Sequence, residues 1–432
     1  MNALLDLQII DSPAMWIVYA VAIALIVVVL ARRPTPRGVV RTLVCVVVGA
    51  VVGIVVFLIA NATNAMGVTL PPEVAVWASA ALAGVGLAVA SLWDSPPWRK
   101  VVAIVLIVWM PLSAVVGINA FYGLNPTLGS LFGAAASRPL DLPPAGAGAG
   151  APAQPLYETW RPPADMPAKG ERGTQAIEGT VSGFVARDAG IYLPPAALVD
   201  DAPPLPMVIM MMGYVGNPDP TIISDVLDEF AAAHDGLAPI VIVADQLGGD
   251  GNDDPACADS TTFGNAETYV TTDVVNWART NLNVIDDPRY WVVAGYSNGG
   301  GCAIKYGVKY PQTFGNIIDV SGEEYPGSES VTSVIADVYG GDRAAFEASK
   351  PIRIMQGEPA GTYAETTAIF TVGSEDPDFL AAARAVSAAA EAAGMATTLF
   401  VVDGADHGGT AVSGGLAEGF AVLSPMLGFS AE

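Results

Sequence analysis

A mainly parallel β-sheet flanked by helices, carried behind four membrane-spanning helices, is the fold class this sequence predicts. Three observations predict it. Four apolar segments fill the first 120 residues. Beyond about residue 157, short unbroken apolar runs alternate with helical patterns. One of those runs ends in Gly-Tyr-Ser-Asn-Gly, a strand-to-helix turn too crowded for larger neighbours.

The apolar segments cover Ala14 to Ala31, Thr42 to Ala60, Val74 to Leu92 and Val101 to Ile118. Each approaches the ~20 residues that a helix needs to cross a bilayer. The chain is 52% hydrophobic but only 14% charged, against about 25% in soluble proteins. A secretory signal would give one shorter run and a cleavage site. Gly49 and Gly53 form a GxxxG pattern in the second segment, suited to close helix packing. Arg32, Arg33, Arg37 and Arg41 lie between segments one and two, and Arg99 and Lys100 between three and four. The N-terminal tail and second loop carry no Lys or Arg. Positive loops stay in the cytoplasm, so both termini are expected outside. The expected organisation is a four-span anchor over 1–120, an Ala/Gly/Pro-rich linker over 121–156, and an extracytoplasmic domain over 157–432.

Within that domain Ile177 to Leu193 reads as an antiparallel pair opening the sheet. Pro206–Met212, Pro239–Ala244, Tyr290–Ala294, Asn316–Val320, Ala368–Val372 and Thr397–Val402 read as strands buried on both faces. Helical patterns follow at Thr221–His234, Ala266–Leu282, Asp376–Gly394 and Gly414–Leu427. Alternating strands and helices imply an α/β domain with a mainly parallel sheet. Beyond residue 120 there are 13 basic and 39 acidic residues, a net −26. That balance excludes a nucleic-acid surface. It serves solubility, and it would also favour a cationic group on a ligand.

Gly-x-Ser-x-Gly between a buried strand and a helix places Ser297 where a nucleophile is held, exposed at a helix N-terminus. A serine hydroxyl needs a base. The sequence has two histidines, His234 and His407. His407 follows the serine and the last strand, where the base of such a fold stands. His234 closes a helix and reads as a dipole partner. The acid belongs after the strand ending near Val372, which offers Asp376, with Glu375 and Asp378 as neighbouring alternatives. Two backbone amides should face the developing oxyanion: that of Asn298, after the serine, and that of Tyr214, after the first central strand.

Five blocks in order, NAETYVTTDVVNWARTNLNV, DPRYWVVAGYSNGG, KYPQTFGNIIDVSGE, VGSEDPDF and DGADHGG, make residues Val181 to Leu427 resemble the putative-esterase family of α/β-hydrolases. That family includes esterase D and the mycolyltransferases. The likeness implies a Ser297–His407–Asp376 (or Glu375) triad, oxyanion amides at Tyr214 and Asn298, ester chemistry through an acyl-enzyme, and no cofactor. The multi-span anchor looks like an actinobacterial variant. Asn298 stands where the family usually has Met, and Gly408–Gly409 follow the histidine where an aromatic-rich sequence is common. Both departures flank the substrate and weigh against mycolyl transfer more than against hydrolysis. Acyl transfer to an alcohol and an inactive membrane-bound scaffold are the rival readings.

Cys45 falls inside a span. Cys257 and Cys302 fall in the outer domain, where a disulfide can persist; the expectation is a bridge tying the GGDGNDDPACADS loop near the nucleophile. That loop carries Asp250, Asp253, Asp254 and Asp259, but its spacing fails the EF-hand pattern, so no metal is expected. The expected partner is an ester substrate, lipid-linked and held close by the anchor, with an aminoacyl lipid among the candidates.

Overall fold

The computed structural model describes residues 2–5, 7–31, 35–63, 70–93, 95–131, 139–145, 150–214, 216–249, 251 and 253–431. The chain divides into two compact units, Met1–Phe132 and Gly133–Glu432.

Among its described residues the first unit holds four helices long and apolar enough to cross a membrane: α1 Pro13–Leu30, α2 Pro36–Ala62, α3 Pro72–Ser91 and α4 Pro97–Tyr122. Each begins on proline, whose missing N–H costs nothing in a helix's first turn. Ser12 and Thr35 cap α1 and α2 by accepting from Met15 N and Gly38 N. α4 ends at Gly123, in the left-handed region at φ 67°. The GxxxG pair lies on the α2–α3 contact. A Cβ at Gly49 would fall 2.0 Å from Leu82 O, and one at Gly53 2.6 Å from Ser79 Cα. Outward-facing Val40, Leu43, Val47 and Val51 leave an apolar surface on α2. Arg41 and Arg99 lie at one end of the bundle, donating to the carbonyls of Trp93 and Ala31. Arg32 and Arg33 lie outside the described residues.

The second unit is built on an eight-stranded sheet. In chain order the strands are β1 Glu171–Gln175, β2 Ala189–Leu193, β3 Met207–Met211, β4 Ile240–Ala244, β5 Trp291–Tyr296, β6 Asn316–Val320, β7 Thr367–Gly373 and β8 Ala396–Val402. Their spatial order is β1-β2-β4-β3-β5-β6-β7-β8. β1 and β2 are antiparallel to their neighbours; the rest run parallel. The helices that matter for the site are α5 Thr221–Ala233, α6 Val275–Asn281, α7 Asn298–Lys309, α8 Pro377–Ala392 and α9 Gly409–Leu423. The strands from β2 through β7 are buried along their whole length, as continuous apolar runs require.

Three elements differ from expectation. The first strand is Glu171–Gln175, not a segment after Ile177. The amides of Val181 and Ser182 donate instead to the Asp273 carboxylate, which folds that segment into a turn rather than a ladder. Thr397–Val402 forms β8, but at the sheet's edge, where Leu399 and Val401 remain exposed. The helix expected over Ala266–Leu282 contains a π-type turn over Tyr269–Val274 before α6. Of the stretch read as a linker, residues up to 132 fall in the first unit and those from 133 in the second, where Leu140 N donates to Thr174 O in β1.

Candidate active site

Ser297 stands between β5 and α7 with φ 56° and ψ −119°, a left-handed conformation that costs a non-glycine residue about 1–3 kcal/mol. Glycine makes the turn possible. A Cβ on Gly295 would sit 1.9 Å from Gly299 O, and one on Gly299 2.2 Å from Met211 O. Ser297 N donates to Val320 O of β6, which fixes the turn to the sheet. The strained turn aims the hydroxyl away from the strand and toward the loop after β8.

That loop brings His407. Its Nε2 lies 2.9 Å from Ser297 Oγ, and its Nδ1 lies 2.6 Å from Asp376 Oδ2. Asp376 is buried at the start of α8, while Glu375 and Asp378 beside it face solvent. Glu375 is instead held by its backbone, N to Ala405 O. Gly373 allows that approach, since a Cβ there would meet Ala405 O at 2.3 Å. The imidazole is gripped further. Phe379 packs on its ring at 4.0 Å between centroids, and the Tyr296 hydroxyl donates to the His407 carbonyl at 2.5 Å. His234 lies elsewhere, with Nδ1 against the Phe230 carbonyl of α5 and Nε2 against Ser424 Oγ.

Asn298 opens α7, so its N–H is among those the helix does not use. Tyr214 follows Gly213 in a tight turn closed by Gly216 N donating to Gly213 O. The turn is tied at both ends. Gln246 Nε2 donates to Met212 O at 2.5 Å, and Arg187 Nη2 donates to Gly216 O and to Asp245 Oδ1.

Cys257 and Cys302 are joined in a disulfide that fastens the acidic loop to α7. Lys305, fully buried on α7, donates to Cys257 O at 2.6 Å and pairs with Glu267 at 3.3 Å; burial lowers its pKa. Asp254 Oδ1 accepts from Ala256 N and from Asn298 Nδ2. Burial raises the carboxyls of Asp254 and Glu323, the latter also raised by Asp254 beside it. Behind α7, burial pushes Asp319 up to about 7. No three His, Cys, Asp or Glu among the described residues are grouped to hold a metal, and Asp250 lies outside them. Gln246, Arg187 and Phe379 were not singled out from sequence. Gln246 and Arg187 reach the site across the fold and no short motif marks them, whereas Phe379 closes the VGSEDPDF block three residues after Asp376.

A mainly parallel sheet with a serine on a strained turn after its central strand, followed by a helix, defines an α/β-hydrolase fold. The chain belongs to the esterase family described as "Putative esterase", whose model matches residues 186–411. An uncharacterized protein of Corynebacterium glutamicum is 34% identical over 235 residues, 52% of this chain and 54% of that protein. The chain thus spans about half the length of the curated relative it matches. A solved ferulic acid esterase is 17% identical, covering 60% of this chain and 99% of its own, with a TM-score of 0.51. An S-formylglutathione hydrolase from Agrobacterium tumefaciens is 18% identical, covering 61% of this chain and 98% of its own, with a TM-score of 0.47.

Proposed function

We propose that the protein is a membrane-tethered serine esterase whose catalytic unit faces away from the cytoplasm. The observation that carries this reading is the unbroken hydrogen-bond line from Ser297 Oγ through His407 to Asp376. Ser297 attacks an ester carbonyl while His407 Nε2 takes the hydroxyl proton. Asp376 holds the Nδ1–H tautomer and stabilises the imidazolium. The amides of Tyr214 and Asn298 receive the oxyanion. The tetrahedral intermediate collapses to an acyl-Ser297 as His407 returns the proton to the leaving alcohol. Water then repeats the sequence and frees the acid.

Four apolar helices support the tether, and the positive residues at one end of the bundle support the orientation. A disulfide in the catalytic unit fits the oxidising side of a membrane. Tethering raises the effective concentration of lipid-linked esters. The acidic balance beyond residue 120, a net −26, favours an ester that carries a cation, as an aminoacyl lipid does. Equal turnover of matched aminoacyl and uncharged esters would remove that last element.

The test is labelling of intact cells by an impermeant fluorophosphonate, with hydrolysis of a p-nitrophenyl ester by the purified protein. Wild type should label and hydrolyse; Ser297→Ala should do neither. A folded wild type that does neither overturns the esterase reading. Labelling only after permeabilisation overturns the orientation.

A further inference from the structure

We infer that Gln246 is a positioning residue that sets the spacing between the two halves of the oxyanion site; this rests on the esterase reading above. The two amides assigned to that site come from segments distant in sequence. Tyr214 rides on the turn after β3, and Asn298 on the first turn of α7. One side-chain amide joins them. Gln246, just past the end of β4, is 3% exposed. Its Nε2 donates to Met212 O at 2.5 Å and to Asn298 Oδ1 at 3.2 Å.

The chemistry allows one direction for this chain of bonds. A backbone carbonyl only accepts, so the nitrogen of Gln246 must face Met212. The second N–H on that nitrogen then points to Asn298, which must present its oxygen. The remaining NH2 of Asn298 reaches Asp254 Oδ1 at 3.1 Å, an acceptor. Each group uses the role it has, and no amide could be turned over without setting donor against donor or acceptor against acceptor.

The neighbouring residue completes the clamp. Asp245, fully buried, receives both Arg187 N at 2.7 Å and Arg187 Nη2 at 2.6 Å. The same Nη2 donates to Gly216 O at 3.1 Å, and Nη1 to Asn217 Oδ1 at 2.9 Å. Consecutive residues at the end of β4 therefore hold the two ends of the turn that carries Tyr214. Of these two residues, it is Gln246 that also holds Asn298. Removing its donors leaves the Met212 end loose and lets the two amides drift apart, which weakens transition-state binding while leaving the ground-state ester contacts in place.

The experiment uses the full-length protein in detergent, with active sites counted by fluorophosphonate titration. Gln246→Met keeps the shape and removes both donors; Gln246→Glu keeps the shape and replaces the donors with an acceptor. For each variant, kcat per titrated site on a p-nitrophenyl ester should fall ~10- to 100-fold with KM within about twofold. A boronic acid, which becomes tetrahedral on Ser297, should lose affinity by a similar factor. A change confined to the number of titratable sites, with kcat per site intact in both variants, overturns the assignment and leaves the esterase reading standing. A folded wild type with neither labelling nor hydrolysis overturns both.

Discussion

Cutting the Cys257–Cys302 bridge should both destabilise the catalytic unit and slow the reaction. The bridge closes a loop of 45 residues. Loop-closure entropy for that length corresponds to about 4 kcal/mol of stabilisation. Part of this is offset locally. Cys257 sits at positive φ, 54°, where a non-glycine residue costs about 1–2 kcal/mol. Once the bond is gone it can relax, while Ala256 beside it stays held by Asp254 Oδ1, so the net loss should be about 2–3 kcal/mol. The second unit has roughly 300 residues, and unfolding entropy of about 2.1 cal/mol/K per residue converts that loss into ~3–5 °C.

The assay is a thermal melt of full-length Cys257→Ala/Cys302→Ala against wild type, alongside ester hydrolysis well below the melting range. Activity should fall about tenfold, because the loop carries Asp254, the acceptor that ends the Gln246–Asn298 line of bonds. Thiol alkylation supplies the control. Denatured wild type should expose one thiol, Cys45, before reduction and three after it. A melting point within 1 °C or so of wild type, together with unchanged kcat, would refute the reasoning that the bridge holds the loop in place.

Asp376→Asn should lower kcat ~10⁴-fold by stabilising the wrong tautomer of His407, whereas Glu375→Gln, exposed and unpaired with the imidazole, should stay within about twofold; steady-state kinetics on both variants checks the assignment. Gly295→Ala puts a methyl 1.9 Å from Gly299 O, so the turn must open, and the rate of fluorophosphonate labelling should fall at least ~100-fold. Asp319, raised to about 7 in the folded protein, keeps its proton between pH 4 and 7 while the unfolded carboxyl has lost it, so its contribution to stability declines as pH rises through that window. Asp319→Asn removes the decline: its stability relative to wild type should improve by about 4 kcal/mol from pH 4 to pH 7.5, read from urea melts at both values, and parallel curves for the two proteins would refute it.

What could be read from the sequence, and what could not, follows from where each signal lies. A strand buried on both faces must be apolar along its length, so Met207–Met211 and Trp291–Tyr296 announce themselves. Ser297, Asp376 and His407 were readable for a related reason. Each sits just past the end of a parallel strand, and a mainly parallel sheet gathers those ends on one edge. The strand Glu171–Gln175 has no such mark. It lies at the sheet's edge with its charged residues outward, so only pairing with β2 makes it a strand. β8 shows the converse, since its apolar run reads as core although it lies at the other edge.

Gln246 is hidden for a stronger reason. Its partners are 34 and 52 residues away, and a buried glutamine after a strand carries no pattern of its own. The sequence does hold one trace of it. Asn298 stands directly after the nucleophile, where the resemblance leads one to expect Met, and puts a polar side chain into a buried place. A buried amide there needs an acceptor and a donor, and an unmatched one would cost about 1–3 kcal/mol. Gln246 and Asp254 supply them. The substitution at 298 is therefore intelligible only together with the residue at 246 and the disulfide-held loop. On the proposed reading the three form one device for placing the Asn298 amide at the oxyanion.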